Sequence, residues 1–392
     1  MNDPRLNLFV DAHCFDEEYQ GSATFIRQVY TIFQSYQNIH IHLGAYDIEN
    51  LKKEFPGDNF TFIKYKSRST FIRLFYDIPR IIRKYRIDYA HYQYIMPFFG
   101  NCRSIVTMHD VLFMEWPDDF PFFYRISRKY LFRRAARKAD IVTTVSGYSK
   151  YSIIKNFRLD EEKIVVIPNG VSRVFFEWFD KNVSKQMIFH KYGVRDFLLY
   201  VSRIEPRKNH TSLIRSFLSL KLFEKGYHLF LVGHGSLPVP GLNDAMKKIS
   251  AEEKKYIHFI SNVSEEELLQ LYRAADLFIY PSKAEGFGIP PLEAAAVGIP
   301  VICSNTTGMS AYTFFGDNHI DPVNEELMKE RIAAELENNE NERTDIIRQR
   351  IRKDYSWSSP ARQLYESIMF HSGNDFPTVI NHLQKQKAIA II

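Results

Sequence analysis

The sequence predicts an α/β protein with two domains, each built on a doubly wound parallel sheet. Short apolar runs alternate along the chain with helical patterns of about 10–15 residues, and this alternation is typical of βαβ units. The runs are rich in β-branched and aromatic residues and nearly continuous in hydrophobicity, as expected for strands covered on both faces. The rhythm occurs in both halves of the chain, whose 392 residues are more than one core usually spans.

Twelve runs are the predicted strands, seven in the first half and five in the second. In chain order they are NLFVDAH, NIHIHLGAY, FTFIKYK, YAHYQYI, SIVTMHDV, DIVTTVS, KIVVIPNGV, FLLYVSRI, HLFLVGHG, IHFISNV, LFIYPS and VICSN. A Pro-Asn-Gly turn signal at 168–170 marks the break between the halves. We therefore expect an N-terminal domain over residues 1–174, a C-terminal domain over 175–356 and a tail over 373–392.

The cysteine content and the hydropathy limit the class of protein. Cys14, Cys102 and Cys303 are widely separated and odd in number, which favours a reducing compartment over a disulfide framework or a cysteine zinc site. No apolar run approaches the roughly 18 residues that a membrane-spanning helix needs. The first residues lack the basic and apolar regions of a signal peptide. We therefore expect a cytoplasmic protein.

Positive charge is concentrated in the first half. Residues 1–174 carry 25 Lys and Arg against 19 Asp and Glu, whereas residues 175–392 carry 26 against 27. The excess lies in 64–86 and 124–140, where basic residues alternate with aromatic and aliphatic ones at helix-like spacing. This pattern indicates either a surface helix that binds anionic lipid headgroups or a solvated cationic face above a core stripe. Nucleic acid is not an expected partner, because no recognition motif accompanies the charge.

The stretch AEGFGIPPLEAAAVGIPV, residues 284–301, places a Gly-Phe-Gly and a Pro-Pro between two glutamates. It follows the predicted strand LFIYPS, so we expect a loop and then a helix that begins near Pro290 or Pro291, where proline is tolerated. The glycines let the backbone approach a ligand, and the free N–H groups of a helix start attract anions. Glu285 can accept hydrogen bonds from ligand hydroxyls. Glu293 is expected in the first helical turn, where the helix dipole alone would favour a carboxylate.

A second stretch, YVSRIEPRKNHTSLIRSF at 200–217, has the same order of strand, loop and helix. Arg203, Arg207 and Lys208 are crowded in its loop, and such close cations repel each other unless an anion lies between them. Arginine binds a diphosphate through paired donors and lysine binds it as a point charge. The alternative is that one or two of these side chains point to solvent. Together the two stretches indicate a site for a diphosphate and hydroxyl-rich groups, which is the chemistry of a sugar nucleotide.

Several motifs resemble the family-four retaining glycosyltransferases of the GT-B fold. EGFGIPPLE is similar to the family's paired-glutamate motif, VSRIEPRKNH to its phosphate loop, and LFLVGHG to a strand with a Gly-x-Gly turn. GSATFIRQVY, TMHDVLF and IVTTVSGYSK are similar to segments of the family's first domain, and WSSPARQLYESI resembles its terminal helix. The resemblance covers most of the chain. It implies two doubly wound Rossmann-like domains that face each other across a cleft, with a helix returning to the first domain over about 357–372.

The resemblance implies roles around the paired-glutamate motif. Glu285 would contact hydroxyls of the donor sugar, and Glu293 would contact those of the ribose. The amides of Phe287 and Gly288 would face the sugar and the diphosphate, and Ile289 belongs to the same donor-binding segment.

The resemblance implies that other loops bind the leaving diphosphate and the base of the nucleotide. Arg203 and Lys208 would hold the diphosphate, with Arg207 as a second-rank candidate. Asn262 and Val263 would lie beside the base of the nucleotide.

Two residues of the first half complete the predicted site. Gly21 would let a first-domain loop approach the phosphates, and His109 would lie near the reacting sugar. The alternative for His109 is a packed polar residue. The chain departs from the family pattern at Ser310-Ala311, where Pro-Glu is common, so the resemblance assigns no contacts to residues 308–313.

The expected chemistry needs positive charge where the nucleoside diphosphate departs. Fixed cations and helix-start amides lower the barrier by preorganised electrostatics, and the sequence has no Asp-x-Asp pair of the kind that holds Mg²⁺ in many transferases. We therefore expect metal-independent transfer without a cofactor. The resemblance implies retention at the anomeric carbon, for which we favour front-face attack. Double displacement would need a carboxylate on the face opposite the leaving group.

The resemblance extends to mannosyl- and rhamnosyltransferases of O-antigen and capsule synthesis, through HYQYIMPFFG and VTMHDV. It implies a saccharide or lipid-linked saccharide acceptor and a place in the cytoplasm or peripherally on the inner face of the plasma membrane. Two rival functions fit the same residues. One is a nucleotide-sugar epimerase of the same fold, and the other is a non-catalytic nucleotide-sugar-binding protein.

Overall fold

The computed structural model describes residues 5–16, 21–235, 237, 239–338 and 342–373. The chain divides into two α/β units. The first runs from the N-terminal segment to Asn169 and resumes at Trp357, and the second is Gly170–Ser356. The boundary predicted after residue 174 falls within the 3-10 helix Arg173–Phe176. The predicted tail lies, beyond Gly373, outside the described residues.

The sheet of the first unit is parallel and has the order β3-β2-β1-β4-β5-β6-β7. Chain order runs outward in both directions from β1 and β4, which is the predicted doubly wound arrangement. Each strand overlaps one of the predicted runs. The strands are β1 Leu6–Asp11, β2 Ile39–Ala45, β3 Phe60–Lys64, β4 Tyr89–Gln93, β5 Arg103–Thr107, β6 Ile141–Thr144 and β7 Ile164–Val166.

Helices cover both faces of this sheet, so alternate strand residues pack into two cores. In β1, Leu8 and Val10 belong to the core on one face, and Phe9 belongs to the core on the other. The helices before Asn169 are α1 Gly21–Phe33, α2 Ile48–Glu54, α3 Thr70–Ile72, α4 Ile78–Lys84, α5 Leu112–Glu115, α6 Phe122–Lys138 and α7 Gly147–Phe157, with a π-helix Arg73–Asp77 between α3 and α4 and 3-10 helices His13–Phe15, Pro117–Asp119 and Glu161–Lys163.

The second sheet is also parallel and has the order β10-β9-β8-β11-β12-β13. Its strands are β8 Phe197–Val201, β9 His228–Val232, β10 Ile257–Ile260, β11 Leu277–Tyr280, β12 Val301–Ser304 and β13 His319–Ile320. The last was not predicted, because two residues are too few to form a hydrophobic pattern.

Helices cover this sheet as well, and one of them starts from a glycine. They are α8 Lys181–Tyr192, α9 His210–Ser219, α10 Pro240–Lys248, α11 Ala251–Lys254, α12 Glu265–Ala274, α13 Ile289–Val297, α14 Glu325–Glu337 and α15 Glu342–Asp354, with 3-10 helices Pro206–Lys208, Leu222–Lys225, Thr307–Ala311 and Thr313–Asn318. The glycine is Gly288, the residue before α13.

The helix predicted to return to the first domain is α16, Ser358–His371. It packs against α1 in the first unit. The ring of Tyr365 stacks on Tyr36 with centroids 4.0 Å apart, and Trp357 meets Phe25 edge-on at 6.1 Å. None of the described helices is both long enough and apolar enough to span a bilayer.

Candidate functional site

The two predicted motifs of the second unit leave its sheet side by side. They follow β8 and β11, which are neighbours in the sheet. Carboxyl ends of parallel strands meet at one edge, and the order β9-β8-β11 reverses direction at this pair. Such a switch point is where doubly wound sheets bind ligands.

Five charged side chains meet at this edge. Lys208 Nζ lies 2.5 Å from Glu285 Oε1, and Arg207 Nη1 lies 3.3 Å from Glu285 Oε2. Arg207 Nη2 lies 2.8 Å from Glu205 Oε2, and Arg203 Nε lies 3.3 Å from Glu205 Oε1. The side chain of Arg203 is 52% exposed, whereas the other four are buried. We call this group the charged cluster.

The charged cluster corrects one expectation. The crowding of three cations predicts an anionic ligand between them, but Glu205 and Glu285 already lie there. Three cations and two carboxylates leave a net charge of +1 (3 − 2). We did not predict a role for Glu205, although its place two positions from both Arg203 and Arg207 indicates an ion pair. Arg207, ranked second, lies at the centre of the cluster and also donates to the carbonyl of Ala284 at 2.7 Å.

Burial and charge act in opposite directions on Glu285. Burial alone would raise the pKa of its carboxyl, but attraction to Lys208 and Arg207 and the hydrogen bonds it accepts lower the pKa to about 2. Burial lowers the pKa of Lys208 to about 8, against the opposing effect of Glu285. Both groups are therefore charged at neutral pH.

Hydrogen bonds hold the Glu285 carboxylate in one orientation. Its Oε1 accepts from Ser282 Oγ at 2.6 Å and from Tyr280 Oη at 3.1 Å, in addition to Lys208. Its backbone N–H donates to Thr307 Oγ1 at 2.8 Å. Since Oε1 takes these three donors, Oε2 is the oxygen turned toward the guanidinium of Arg207.

The loop after Glu285 packs tightly against residues 307–312, which include Ser310-Ala311, where the chain departs from the family pattern. A Cβ on Gly308 would lie 2.2 Å from the carbonyl oxygen of Gly286. A Cβ on Gly288, where φ is +88°, would lie 2.7 Å from Met309 Cγ. Tyr312 Oη donates to the carbonyl of Phe287 at 2.8 Å. This segment therefore shapes the backbone at the start of α13.

The position of Glu293 in α13 corrects a second expectation. The helix begins at Ile289 with the two prolines in its first turn, so Glu293 lies beyond that turn and the helix dipole does not account for it. Its carboxyl accepts a hydrogen bond from Tyr272 Oη at 3.0 Å. Burial raises its pKa to about 7, so both protonation states are present near neutral pH. A carboxyl of this kind can both donate to and accept from a diol.

Asn262 and Val263 are not brought to the charged cluster. They follow β10, and β9 and β8 lie between that strand and β11 in the sheet. Asn262 has φ of +59°, a conformation that asparagine adopts more readily than most residues. Both residues are at the carboxyl edge of the same sheet, and Asn262 is exposed.

His109 lies two residues beyond β5 in the first unit. Its Nε2 lies 2.8 Å from Gln93 Oε1. Because an amide oxygen only accepts, Nε2 carries the proton and Nδ1 of the neutral ring is an acceptor. Burial lowers the pKa of His109 to about 4, so the ring is neutral at pH 7. Phe25 and Tyr94 flank it, each with ring centroids 5.5 Å away.

Sequence reasoning missed a buried acidic group at the end of β1. Tyr65 Oη donates to Asp11 Oδ1 at 2.9 Å, and His13 Nδ1 lies 3.1 Å from the same oxygen. Arg73, in the π-helix, lies 3.5 Å from Asp11 Oδ2. Burial opposes the charge, but Arg73 and His13 hold the pKa of Asp11 well below its usual range. The sequence does carry a signal for this group, because Asp11 and His13 lie two positions apart near the end of a predicted strand.

The described residues give no steric reason for glycine at position 21. Gly21 opens α1, and a Cβ added to it would meet none of their atoms within 4 Å. Residues 17–20, which precede it, lie outside the described residues. Its predicted approach to phosphates stays a prediction. Within the described parts of both units, no three His, Cys, Asp or Glu side chains are grouped as metal ligands.

Two doubly wound units with a charged cluster at a switch point define a protein of the GT-B fold. The model for Glycosyltransferase Family 4 matches residues 20–174, and the model for Glycosyl transferases group 1 matches residues 185–353. The chain belongs to the family-four glycosyltransferases of the GT-B fold.

Individual relatives agree with this family. The chain is 29% identical to O-antigen chain mannosyltransferase B of Escherichia coli, over 59% of this chain and 64% of that protein. It is 30% identical to O-antigen chain mannosyltransferase RfbU of Salmonella typhimurium, over 58% of this chain and 59% of that protein. These alignments thus span less than two thirds of the relatives' own length. The fold is similar to that of Anabaena HepE in complex with UDP-glucose, with a TM-score of 0.69, 16% identity and coverage of 92% of this chain and 98% of that one.

Proposed function

We propose that the chain is a retaining, metal-independent hexosyltransferase of surface-polysaccharide synthesis. It would move a sugar from a nucleotide-diphospho-sugar donor to a saccharide or lipid-linked saccharide acceptor. Support comes from the family membership, from relatives named as O-antigen mannosyltransferases, and from the UDP-glucose bound in HepE. The sugar transferred and the nucleotide base are left to experiment.

The charged cluster is the observation that carries this proposal. Its net positive charge and its exposed Arg203 offer an anionic ligand a partner without the full desolvation of a buried cation. Lys208 is held beside Glu285, so one carboxylate positions a cation and, in this proposal, would also accept hydrogen bonds from sugar hydroxyls. The backbone N–H groups of Gly288 and Ile289, at the start of α13, lie in the same loop and would donate to a diphosphate, whereas the two prolines of that turn have no N–H.

The charges of the cluster would then promote the transfer of the sugar. As the bond to the leaving diphosphate breaks, negative charge grows on its oxygens, and preorganised cations and amides stabilise that charge more than they stabilise the substrate. In front-face attack the departing phosphate accepts the proton of the acceptor hydroxyl while the new glycosidic bond forms on the same face. A trapped glycosyl–enzyme adduct would overturn this route in favour of double displacement.

Two further groups would have supporting roles. Glu293, whose carboxyl titrates near neutrality, would bind the ribose diol. His109, neutral and protonated on Nε2, would accept a hydrogen bond from a sugar hydroxyl at Nδ1. Neither role needs a change in the side-chain contacts described above.

A thermal-shift screen against UDP-, GDP-, ADP- and dTDP-sugars tests the proposal. Donors that carry one of these bases should raise the melting temperature. A ligand at about 100 times its Kd should add roughly 2.7 kcal/mol to the free energy of unfolding. That donor should then support transfer to a saccharide acceptor, undiminished by a chelator. Rapid epimer formation from donor alone would favour the epimerase, and no stabilisation by any donor would contradict the proposal.

A further inference from the structure

Large apolar side chains are exposed on one part of the first unit. Ten of the nineteen large apolar side chains that are exposed in the described residues fall within 71–99 and 122–130. Single exposed apolar residues are normal, but a contiguous patch marks an interaction surface. We call this patch the exposed aromatic face, and we define it by Phe71, Phe75, Phe99, Phe122, Phe123, Ile126 and Tyr130.

Ring contacts join the two segments of the face into one surface. Phe75 stacks on Phe71 with centroids 4.5 Å apart and on Phe98 with centroids 5.2 Å apart. The guanidinium of Arg134, in α6, lies 4.0 Å from the centroid of Phe98. The helical segment after β3, the loop after β4 and α6 are therefore in continuous contact.

The outer side of α6 is apolar where a surface helix is usually polar. Phe122, Ile126 and Tyr130 are four residues apart, so they form one stripe, and they are 59%, 55% and 65% exposed. The opposite side of α6 is the buried one and includes Phe132. The seventeen residues of α6 include seven Lys and Arg and no Asp or Glu. Within α6, the stripe is therefore flanked by positive charge alone.

We propose that the exposed aromatic face docks this unit on an anionic lipid bilayer. Aromatic rings are favoured at the membrane interface, and Lys and Arg can lay their stems on apolar surface while their charges meet lipid headgroups. A two-fold pairing of this face with a second copy would set one acid-free cationic helix against another. That repulsion favours lipid over self-association.

The face also lies near the sheet edge that carries His109. Its segments follow β3, β4 and β5, whose carboxyl ends share that edge. The buried Phe132 of α6 stacks on Tyr94 at 4.8 Å, and Tyr94 in turn meets His109 at 5.5 Å. If the acceptor is lipid-linked, which rests on the proposed function, docking would bring its sugar to this edge. The docking itself does not depend on that.

Flotation of the full chain with vesicles tests the proposal. The vesicles are phosphatidylcholine alone or with phosphatidylglycerol. We expect recovery only with the anionic lipid, and loss of binding at high salt. The double substitution Lys129→Gln and Arg133→Gln should lower partitioning roughly 30-fold, at about 1 kcal/mol for each charge. The triple substitution Phe123→Ser, Ile126→Ser and Tyr130→Ser should lower it at least as much.

Matched controls lie in the second unit. Trp178→Ser removes an aromatic side chain that is 87% exposed, and Lys254→Gln with Lys255→Gln removes two exposed charges. Neither should change vesicle binding, and all variants should keep the thermal shift with donor, which reports the proposed function separately. Equal recovery with and without anionic lipid would overturn the proposal. So would a triple variant that keeps vesicle binding but changes from dimer to monomer in light scattering, since the face would then pair two copies.

Discussion

At the scale of single residues, Glu285 does two things that a sequence motif does not separate. It neutralises Lys208 and Arg207 inside the protein, and it presents an oriented carboxylate at the switch point of the sheet. The first is a matter of stability, because removing one partner of a buried pair leaves the other uncompensated. The second is the proposed contact with the donor sugar. A substitution at Glu285 therefore needs two readouts.

Glu285→Gln should lower turnover by about 100- to 1,000-fold, the range for loss of one preorganised electrostatic contact. It should also lower the free energy of unfolding by about 3 kcal/mol. Affinity for the free nucleoside diphosphate should be kept, since the cations remain. This affinity is best measured near about pH 6. Losing Glu285 removes an interaction that raises the pKa of Lys208, so a lower pH is needed to keep Lys208 protonated. Near-wild-type turnover would remove Glu285 from the mechanism.

Glu293 gives a prediction about pH and stability. Its pKa is raised by burial, so the protonated carboxyl is favoured in the folded state and its contribution is complete below the unfolded pKa. That contribution is lost as pH rises through about 7. Denaturant midpoints at about pH 5 and about pH 8 should therefore differ more for the wild type than for Glu293→Gln. An identical difference in both proteins would mean that the carboxyl of Glu293 titrates normally.

At the scale of elements, the loops after β11 and β12 form one packed unit. Thr307 has φ of +54°, which is unusual for a β-branched residue, and it holds the backbone N–H of Glu285. Gly308 lies so close to Gly286 that a side chain does not fit. The strain at Thr307 is thus maintained by neighbours on both sides, as is common where a backbone is shaped for a ligand.

Gly308→Ala should destabilise the fold and abolish donor binding, because its Cβ would lie 2.2 Å from a backbone oxygen. The change in unfolding free energy should be roughly 1–3 kcal/mol or more, as for overpacking of a tight site. Gly241→Ala is the matched control, since a Cβ there meets no atom of the described residues within 4 Å. Equal melting temperatures for the two variants would show that the loops can move apart.

The sequence predicted the regular elements of the chain better than the partners of its charged groups. The buried strands are apolar on both faces, so their runs were visible, and only β13 among the described strands was too short to recognise. Glu205 escaped because a single sequence does not say which carboxylate meets which guanidinium. Asp11 and Arg73 escaped for a related reason: they are 62 positions apart (73 − 11), and only the fold brings them together.

At the scale of the whole molecule, both units place their candidate side chains in the same way. The candidate side chains lie at the carboxyl ends of strands: Glu285 after β11, His109 after β5 and Asp11 at the end of β1. The units differ in charge and surface. The second has a charged cluster of net +1 in which only Arg203 is exposed, whereas the first carries the exposed aromatic face and its cations. In the two proposals, the donor binds the second unit and the membrane-associated acceptor meets the first.

The most direct test of the account is a calorimetric titration of Arg203→Ala with the matching nucleoside diphosphate and with its nucleoside. Arg203 is the exposed member of the charged cluster, so its loss should leave the fold intact. Arg215→Ala is the control, because that side chain is 60% exposed in the same unit but outside the cluster. We predict that Arg203→Ala weakens diphosphate binding about 10- to 100-fold, leaves nucleoside binding unchanged, and differs in this from Arg215→Ala. Equal diphosphate affinity in the two variants would contradict the claim that the charged cluster binds a diphosphate.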